Sequence, residues 1–174
     1  QVNETPIKWS NKIEPCEIAA EGDAVSTETE QLSDIETGAG READAIFATE
    51  NTAKYQILAD NAGQDKTVRL HISGKKDAHT AGCVEIVAKE NSTLTVVMDS
   101  RVAPDATKEE DSTAEASLAV RVRMKVESGA SVRLVQVQMP QEHETLLSDI
   151  GGNLIGEGAK VESVSYTHLR AHET

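Results

Sequence analysis

Apolar and polar residues alternate along the chain from about residue 66 onward, and this alternation predicts β-strands. The alternating stretches are residues 68–72, 84–88, 94–98 and 120–127. In the last of them, Val122 and Met124 lie between Arg121, Arg123 and Lys125. A period of two places one set of side chains inside a sheet and the other set outside. Helix-period signals after residue 66 are weak, so we expect a mainly β protein.

The run from Val132 to Met139 changes phase at Leu134 and Val135. Such a change predicts a bulge, a corner or a strand that is covered on both faces. Two polar stretches, residues 104–116 and 140–145, interrupt the alternation and predict surface loops.

Three segments form a weak internal repeat with spacings of 38 and 29 residues. They are residues 91–97 (NSTLTVV), 129–135 (GASVRLV) and 158–164 (GAKVESV). Each begins with Asn or Gly, which adopt a positive φ angle at low cost, and continues with alternating apolar residues. A turn and a strand that recur with loops of variable length favour strands stacked in parallel. An antiparallel sandwich would give the same alternation, so both architectures stay open.

Composition and charge narrow the function classes. The chain has 174 residues and a formal net charge of −13, which would repel the phosphates of nucleic acids and anionic membranes. Aromatic residues make up 2%, too few for a platform on which bases stack. No apolar run approaches the roughly 20 residues of a membrane helix. We therefore expect a cytoplasmic protein that binds neither nucleic acid nor membrane.

The acidic residues are concentrated near the N-terminus. Residues 14–50 contain eleven acidic side chains and one basic side chain, Arg41. We expect residues 1–65 to form an acidic lead-in that is partly helical or irregular, and residues 66–164 to form the β core. The lead-in is interpreted as a solvated segment, with an acidic docking surface as the alternative.

Four strings, taken together, resemble a known family. They are residues 38–44 (GAGREAD), 94–99 (LTVVMD), 129–138 (GASVRLVQVQ) and 148–152 (SDIGG). In this order and spacing they resemble the SufB/SufD family of iron–sulfur cluster assembly proteins, in particular its SufD-type members. The resemblance spans residues 38–164, and the opening Val2-Asn3-Glu4 is similar to an N-terminal motif of the family.

The resemblance implies a fold and a role. The fold would be a right-handed parallel β-helix, a stacked β-solenoid. The role would be a scaffold subunit, not an enzyme, that pairs through its β-helix with a related SufB/SufD-type subunit and works with the SufC ATPase. Iron–sulfur clusters would be handled transiently by the whole complex. The family's cluster-related Cys and His and its SufC-docking helices are expected beyond Val164, so no catalytic, cofactor-binding or metal-binding residue is carried over.

The last ten residues, 165–174, are expected to be a non-native tail, because they break the alternation and resemble translated adapter sequence. His168 and His172 have a spacing of four, which could ligate a metal on a helix, but we interpret them as part of this tail. The chain is therefore expected to be a piece of a longer protein, with its true N-terminus unknown.

The remaining candidate residues carry weak signals. Cys83 is interpreted as a small buried residue, with a cluster or persulfide thiol as the alternative. Cys16 is expected to be unreactive because nearby carboxylates disfavour its thiolate. His71, His79 and His143 share no ligand-like spacing and are expected at the surface. Both cysteines are interpreted as reduced thiols, because a disulfide framework would need more of them.

The basic residues of the 120–127 stretch (Arg121, Arg123 and Lys125) are expected on a solvated strand face, paired with acidic residues elsewhere. A stripe that faces a partner is the sharper alternative. The chain lacks a GxxxxGK[ST] string, so it is not itself a P-loop ATPase. Two other functions stay open: a β-helix carbohydrate-active enzyme and a secreted repeat or adhesin-like protein.

Overall fold

The computed structural model describes residues 13–22, 47, 52–105, 116–141 and 144–167. These residues contain ten strands. The strands are β1 (Ile13–Pro15), β2 (Glu17–Gly22), β3 (Ala53–Ala59), β4 (Asp65–Ser73), β5 (His79–Ala88), β6 (Thr93–Arg101), β7 (Ala116–Val126), β8 (Ser131–Gln138), β9 (Glu144–Leu154) and β10 (Lys160–Thr167). Strands make up 71% of the described residues, which confirms a mainly β protein.

The strands form two sheets that the chain visits in turn. Sheet A has the order β1-β5-β7-β9, with β3 also paired to β5, and sheet B has the order β10-β8-β6-β4-β2. From β3 to β10 each strand pairs in parallel with the strand two positions later in the chain. Only β2 pairs antiparallel, with β4, among the described strands. Parallel pairing decides against the antiparallel sandwich.

The internal repeat of the sequence matches the register of sheet B. Thr93 pairs with Ser131 and Ser131 pairs with Lys160, which reproduces the spacings of 38 and 29 residues. The residue that starts each copy has a positive φ angle, as predicted: 60° at Asn91, 71° at Gly129 and 77° at Gly158. Residue Gly63, with a φ angle of 81°, is a fourth corner of this kind, two residues before β4.

Hydrogen bonds connect successive corners. The Asn91 N–H donates to the Ser128 carbonyl at 3.0 Å, and the Gly129 N–H donates to the Glu157 carbonyl at 3.0 Å. The buried Ser92 hydroxyl donates to the Ala59 carbonyl at 3.1 Å. Backbone hydrogen bonds therefore link successive corners, as they link neighbouring strands of the sheets.

The hydrophobic core lies between the two sheets. Its rows follow the registers, and in one of them Val68, Val96 and Leu134 are each fully buried. Large aliphatic side chains from both sheets fill the rest: Leu70, Ile72, Val84, Ile86, Leu94, Met98, Leu118, Val122, Met124 and Val132. Burying such a side chain stabilises the fold by about 1.5–3 kcal/mol. Stacked aliphatic rows explain why the chain needs so few aromatic rings.

The core becomes polar toward β9 and β10. Gln136 is 3% exposed, and its amide donates to the Ser148 hydroxyl at 3.1 Å and accepts from the Ser165 hydroxyl at 3.3 Å. In the described part of the chain, β9 and β10 are the last strands of their sheets at this end. The interior at this end is therefore mixed, because Leu146, Ile150 and Val161 also pack against the core and are only partly buried.

The sheets reach beyond the 66–164 segment on both sides. Strands β1, β2 and β3 lie inside the predicted 1–65 lead-in, where β1 and β3 pair with β5 and β2 pairs with β4. The alternation of Ala53, Tyr55 and Ile57 with polar residues is short, and β1 has only three residues, so the pattern is weak there. At the other end, β10 continues through Thr167, three residues into the predicted tail.

The predicted bulge or corner in the 132–139 run is wrong. Strand β8 pairs with β6 and with β10 in unbroken register from Ser131 to Gln138. The alternation is interrupted in the sequence because the inward residue Gln136 is polar, whereas the outward residues Val135 and Val137 are apolar and half-exposed. In the predicted 104–116 loop, residues 104–105 form a turn and most of the rest lies outside the described residues. The part of the chain that the structure describes contains no helix long and apolar enough to cross a bilayer.

Candidate functional site

A row of three charged side chains and one thiol crosses the outer face of sheet A. The register places Lys54 beside Cys83, Cys83 beside Arg121, and Arg121 beside Asp149. Neighbouring strands lie about 4.8 Å apart, so the four residues form one line across β3, β5, β7 and β9. We call these four residues the charged row.

Two members of the charged row form a buried ion pair. Arg121 Nε donates to Asp149 Oδ2 at 2.7 Å, and the two side chains are 3% and 0% exposed. The Arg121 guanidinium lies 4.6 Å from the centre of the Phe47 ring, within cation–π distance. The predicted pairing of Arg121 with an acidic residue is confirmed, but the predicted solvated position is wrong, because both side chains are buried. Arg123 and Lys125 are half-exposed.

Cys83 is a free, buried thiol at the second position of the charged row. Burial raises its pKa, and the Glu85 carboxylate raises it further, while Arg123, Arg121 and Lys54 oppose the shift. Because the thiolate is the nucleophilic form, the thiol is unreactive at neutral pH. The interpretation as a small buried residue is confirmed.

Cys16 lies on the opposite side of sheet A, in the core between the sheets. A Cβ at Gly82 would overlap the Cys16 sulfur, so the glycine makes the room that the thiol occupies. Burial raises the Cys16 pKa to about 12, and Glu17 adds to the shift. The main cause of this shift is burial, not the carboxylates from which the low reactivity was predicted. Neither cysteine is in a disulfide.

The Cys16 shift predicts a loss of stability at high pH. Between pH 9 and pH 12 the unfolded chain releases the thiol proton and the folded chain keeps it, so the free energy of unfolding falls as pH rises. From pH 9 to pH 11 this group contributes a loss of about 2–3 kcal/mol. Urea denaturation at these pH values should show a shallower decline in a Cys16→Ala variant than in the wild type. Equal slopes in the two proteins would mean that the Cys16 thiol titrates alike when folded and unfolded.

His71 points outward from sheet B, as predicted, with 41% of its side chain exposed. Its Nε2 lies 2.5 Å from Glu21 Oε2, and its Nδ1 lies 3.9 Å from Asp99 Oδ2. These carboxylates belong to β2 and β6, on either side of β4. His71 therefore ties the antiparallel strand β2 to the parallel part of sheet B.

The other histidines are separated from His71. His79 begins β5, where it pairs with Ile13 and Ser117, and it is half-buried rather than fully at the expected surface position. His143, His168 and His172 lie outside the described residues. Among the residues that are described, no three His, Cys, Asp or Glu side chains lie close enough together to hold a metal ion.

Sequence reasoning missed the most buried charge of the site. Asp149 belongs to the SDIGG string, and an offset of 28 residues between β7 and β9 pairs it with Arg121. The internal repeat of the sequence belongs to sheet B, so it did not predict the sequence spacing between paired residues in sheet A. Phe47 lies in the predicted lead-in, and no pattern in the sequence indicates that its ring lies over Arg121.

Three of the four residues of the charged row, Cys83, Arg121 and Asp149, are buried and not accessible to a reactant, while Lys54 is exposed. Arg121 and Asp149 neutralise each other away from solvent, and Cys83 is protonated and buried. Comparisons with protein-family models, curated proteins and solved structures found no match to this chain.

Proposed function

We propose that this chain is part of a non-ATPase scaffold subunit of a SUF-type iron–sulfur cluster assembly complex. It would pair through its β core with a related SufB/SufD-type subunit and work in the cytoplasm with a SufC-type ATPase. The nascent cluster would be cargo of the assembled complex, and the chain itself would not be an enzyme.

The observation that carries the proposal is the parallel pairing of each strand with the strand two positions later. Together with the aligned corners at Gly63, Asn91, Gly129 and Gly158, this pairing is what a β-helix requires. A strand that crosses to a parallel neighbour in the same sheet does so with right-handed geometry in nearly all proteins. The right-handed β-helix that the resemblance implies is therefore the architecture we propose.

The family-like strings also fall on neighbouring parts of the sheets. LTVVMD belongs to β6 and GASVRLVQVQ forms the next corner and β8, which pairs with β6. SDIGG belongs to β9 and supplies Asp149 to the buried ion pair. The string at residues 38–44 lies outside the described residues. The three described strings support the resemblance because each has a structural role in the stack.

Co-purification tests the proposal. The complete protein, expressed with an ABC-type ATPase and a related β-helix subunit from the same genome, should form a stable complex with both. A P-loop ATPase of another class, carrying the same affinity tag, is the control and should not be retained. A complete protein that binds neither partner would overturn the proposal. Turnover of an acidic polysaccharide by the purified protein would favour the carbohydrate-enzyme alternative instead.

A further inference from the structure

The outer face of sheet A is more basic than acidic, although the whole chain carries a charge of −13. The outward positions of β3, β5, β7 and β9 hold four basic and two acidic side chains. They are Lys54, Arg121, Arg123, Lys125, Glu85 and Asp149. We call Arg121, Arg123 and Lys125, which follow one another along β7, the basic stripe. A positive stripe on a strongly negative chain attracts acidic segments.

This face is also in contact with a residue from outside the sheets. The outward side chains of Ala81 and Ala119 are 0% exposed. They pack with Ile13 and Leu147 of the neighbouring strands and with Phe47, which belongs to none of the ten strands. The Phe47 ring also lies over Arg121. Phe47 therefore fixes one point of the chain against the basic stripe.

The residues that precede Phe47 have the charge that this face attracts. Residues 23–46, which lie outside the described residues, contain seven acidic residues and one basic residue. We call them the acidic segment. They connect the end of β2 in sheet B to Phe47 on the outer face of sheet A. At ~3.3 Å per residue, 24 residues reach up to about 80 Å, far more than the roughly 10 Å between two packed sheets.

We propose that the outer face of sheet A is the docking surface of the acidic segment, with Phe47 as its anchor and the basic stripe as its charged contact. The outer face of sheet B fits less well, because basic residues there already have acidic partners, as in Arg133 with Glu162 at 3.4 Å. The two alternatives that the sequence left open, an acidic docking surface and a basic stripe that faces a partner, are then the two halves of one contact. This inference does not depend on the proposed function.

Carbodiimide cross-linking of the full 174-residue chain, followed by mass spectrometry, tests where the acidic segment docks. The reagent joins a lysine amine to a carboxylate that lies against it. Lys125 should be joined to carboxylates of residues 23–46. Lys160 is exposed on the outer face of sheet B and is the matched control, which should form few such links. Links from the acidic segment to Lys160 that are as frequent as those to Lys125 would overturn the proposal.

Alkylation of Cys83 gives an independent readout, because Cys83 lies beside Arg121 in the charged row and docking shields it. The double variant Arg123→Glu with Lys125→Glu should raise the alkylation rate of Cys83 by about tenfold or more, since the reversed charges repel the acidic segment. Arg133→Glu with Lys160→Glu makes the same charge change at two exposed positions of sheet B and should leave the rate unchanged.

Cys16 is the internal control for unfolding, because it lies in the core between the sheets. Its alkylation rate, measured in the same samples, should stay at the wild-type value in every variant that remains folded. Phe47→Ala should raise the rate at Cys83 alone; a rise at both cysteines would mean that this variant unfolds, and the charge-reversal pair then decides. Equal Cys83 rates in the two charge-reversal variants would overturn the proposal.

Discussion

Replacing Asp149 with alanine lowers the free energy of unfolding by about 3–5 kcal/mol, the usual cost of breaking a buried ion pair. The Arg121 side chain is 3% exposed and is held between the sheet and the Phe47 ring. Without the Asp149 carboxylate its charge stays in a poorly solvated place. Urea denaturation measures the loss directly. A loss below about 1 kcal/mol would mean that water reaches the pair.

Glu162→Ala is the matched control for this variant. Arg133 and Glu162 also face each other across neighbouring parallel strands, but their side chains are 51% and 66% exposed. Such a surface pair contributes about 0–1 kcal/mol. The double variant Arg121→Met with Asp149→Leu should recover most of the stability, since well-packed apolar residues often replace a buried pair without loss. If Asp149→Ala fails to fold, this double variant still tests whether charge or packing is responsible.

A methyl group at Gly74 is expected to destabilise the fold by about 2–3 kcal/mol, through overpacking. Gly74 follows β4, is buried, and its N–H donates to the Arg101 carbonyl at 2.9 Å. A Cβ there would overlap the carbonyl oxygen of Val102 and lie 2.6 Å from Thr80 Oγ1. Because the nearest atom belongs to the Val102 backbone, a side-chain rotation cannot relieve the overlap. The turn after β4 and the turn after β6 would have to separate.

Gly152→Ala is the control for Gly74→Ala. Gly152 lies in β9, where a Cβ would meet Met124 at 3.9 Å, an ordinary van der Waals distance. Its substitution should change the free energy of unfolding by less than about 0.5–1 kcal/mol. Similar losses in both variants, measured by urea denaturation, would show that the close stacking of successive turns at Gly74 is wrong.

The sequence predicted sheet B better than sheet A, for a physical reason. In sheet B the inward residues of β4 and β6 and the first inward residues of β8 are mostly large and aliphatic. The strands β4, β6, β8 and β10 each follow an Asn or Gly corner. The period of two and the turn residues therefore predict the same strands. The spacings of 38 and 29 residues are then also the registers. The corner residues before the strands of sheet A are less uniform: β5 follows Asp77, whose φ angle is 57°, and β3 begins two residues after Asn51. Strands β1 and β3 of sheet A were therefore missed, although Tyr55 and Ile57 alternate with polar residues.

The candidate site could not be predicted because its properties arise from tertiary contacts. Arg121 occupies an outward position on β7, which normally means contact with water. In the fold it is buried, and the Phe47 ring that lies over it is 74 residues away along the chain. The low reactivity of Cys16 was predicted from nearby carboxylates, yet burial against Gly82 is the larger cause. Burial by distant residues leaves no periodic signal in the sequence.

Cross-strand contacts measured by NMR test the central claim, the parallel stacking of alternate strands, most directly. The structure predicts nuclear Overhauser contacts between the backbones of Val68 and Val96 and between those of Val96 and Leu134, in the pattern of parallel strands. Contacts between β5 and β6 in an antiparallel pattern would contradict the stack. That result would restore the antiparallel sandwich and remove the structural support for the scaffold proposal.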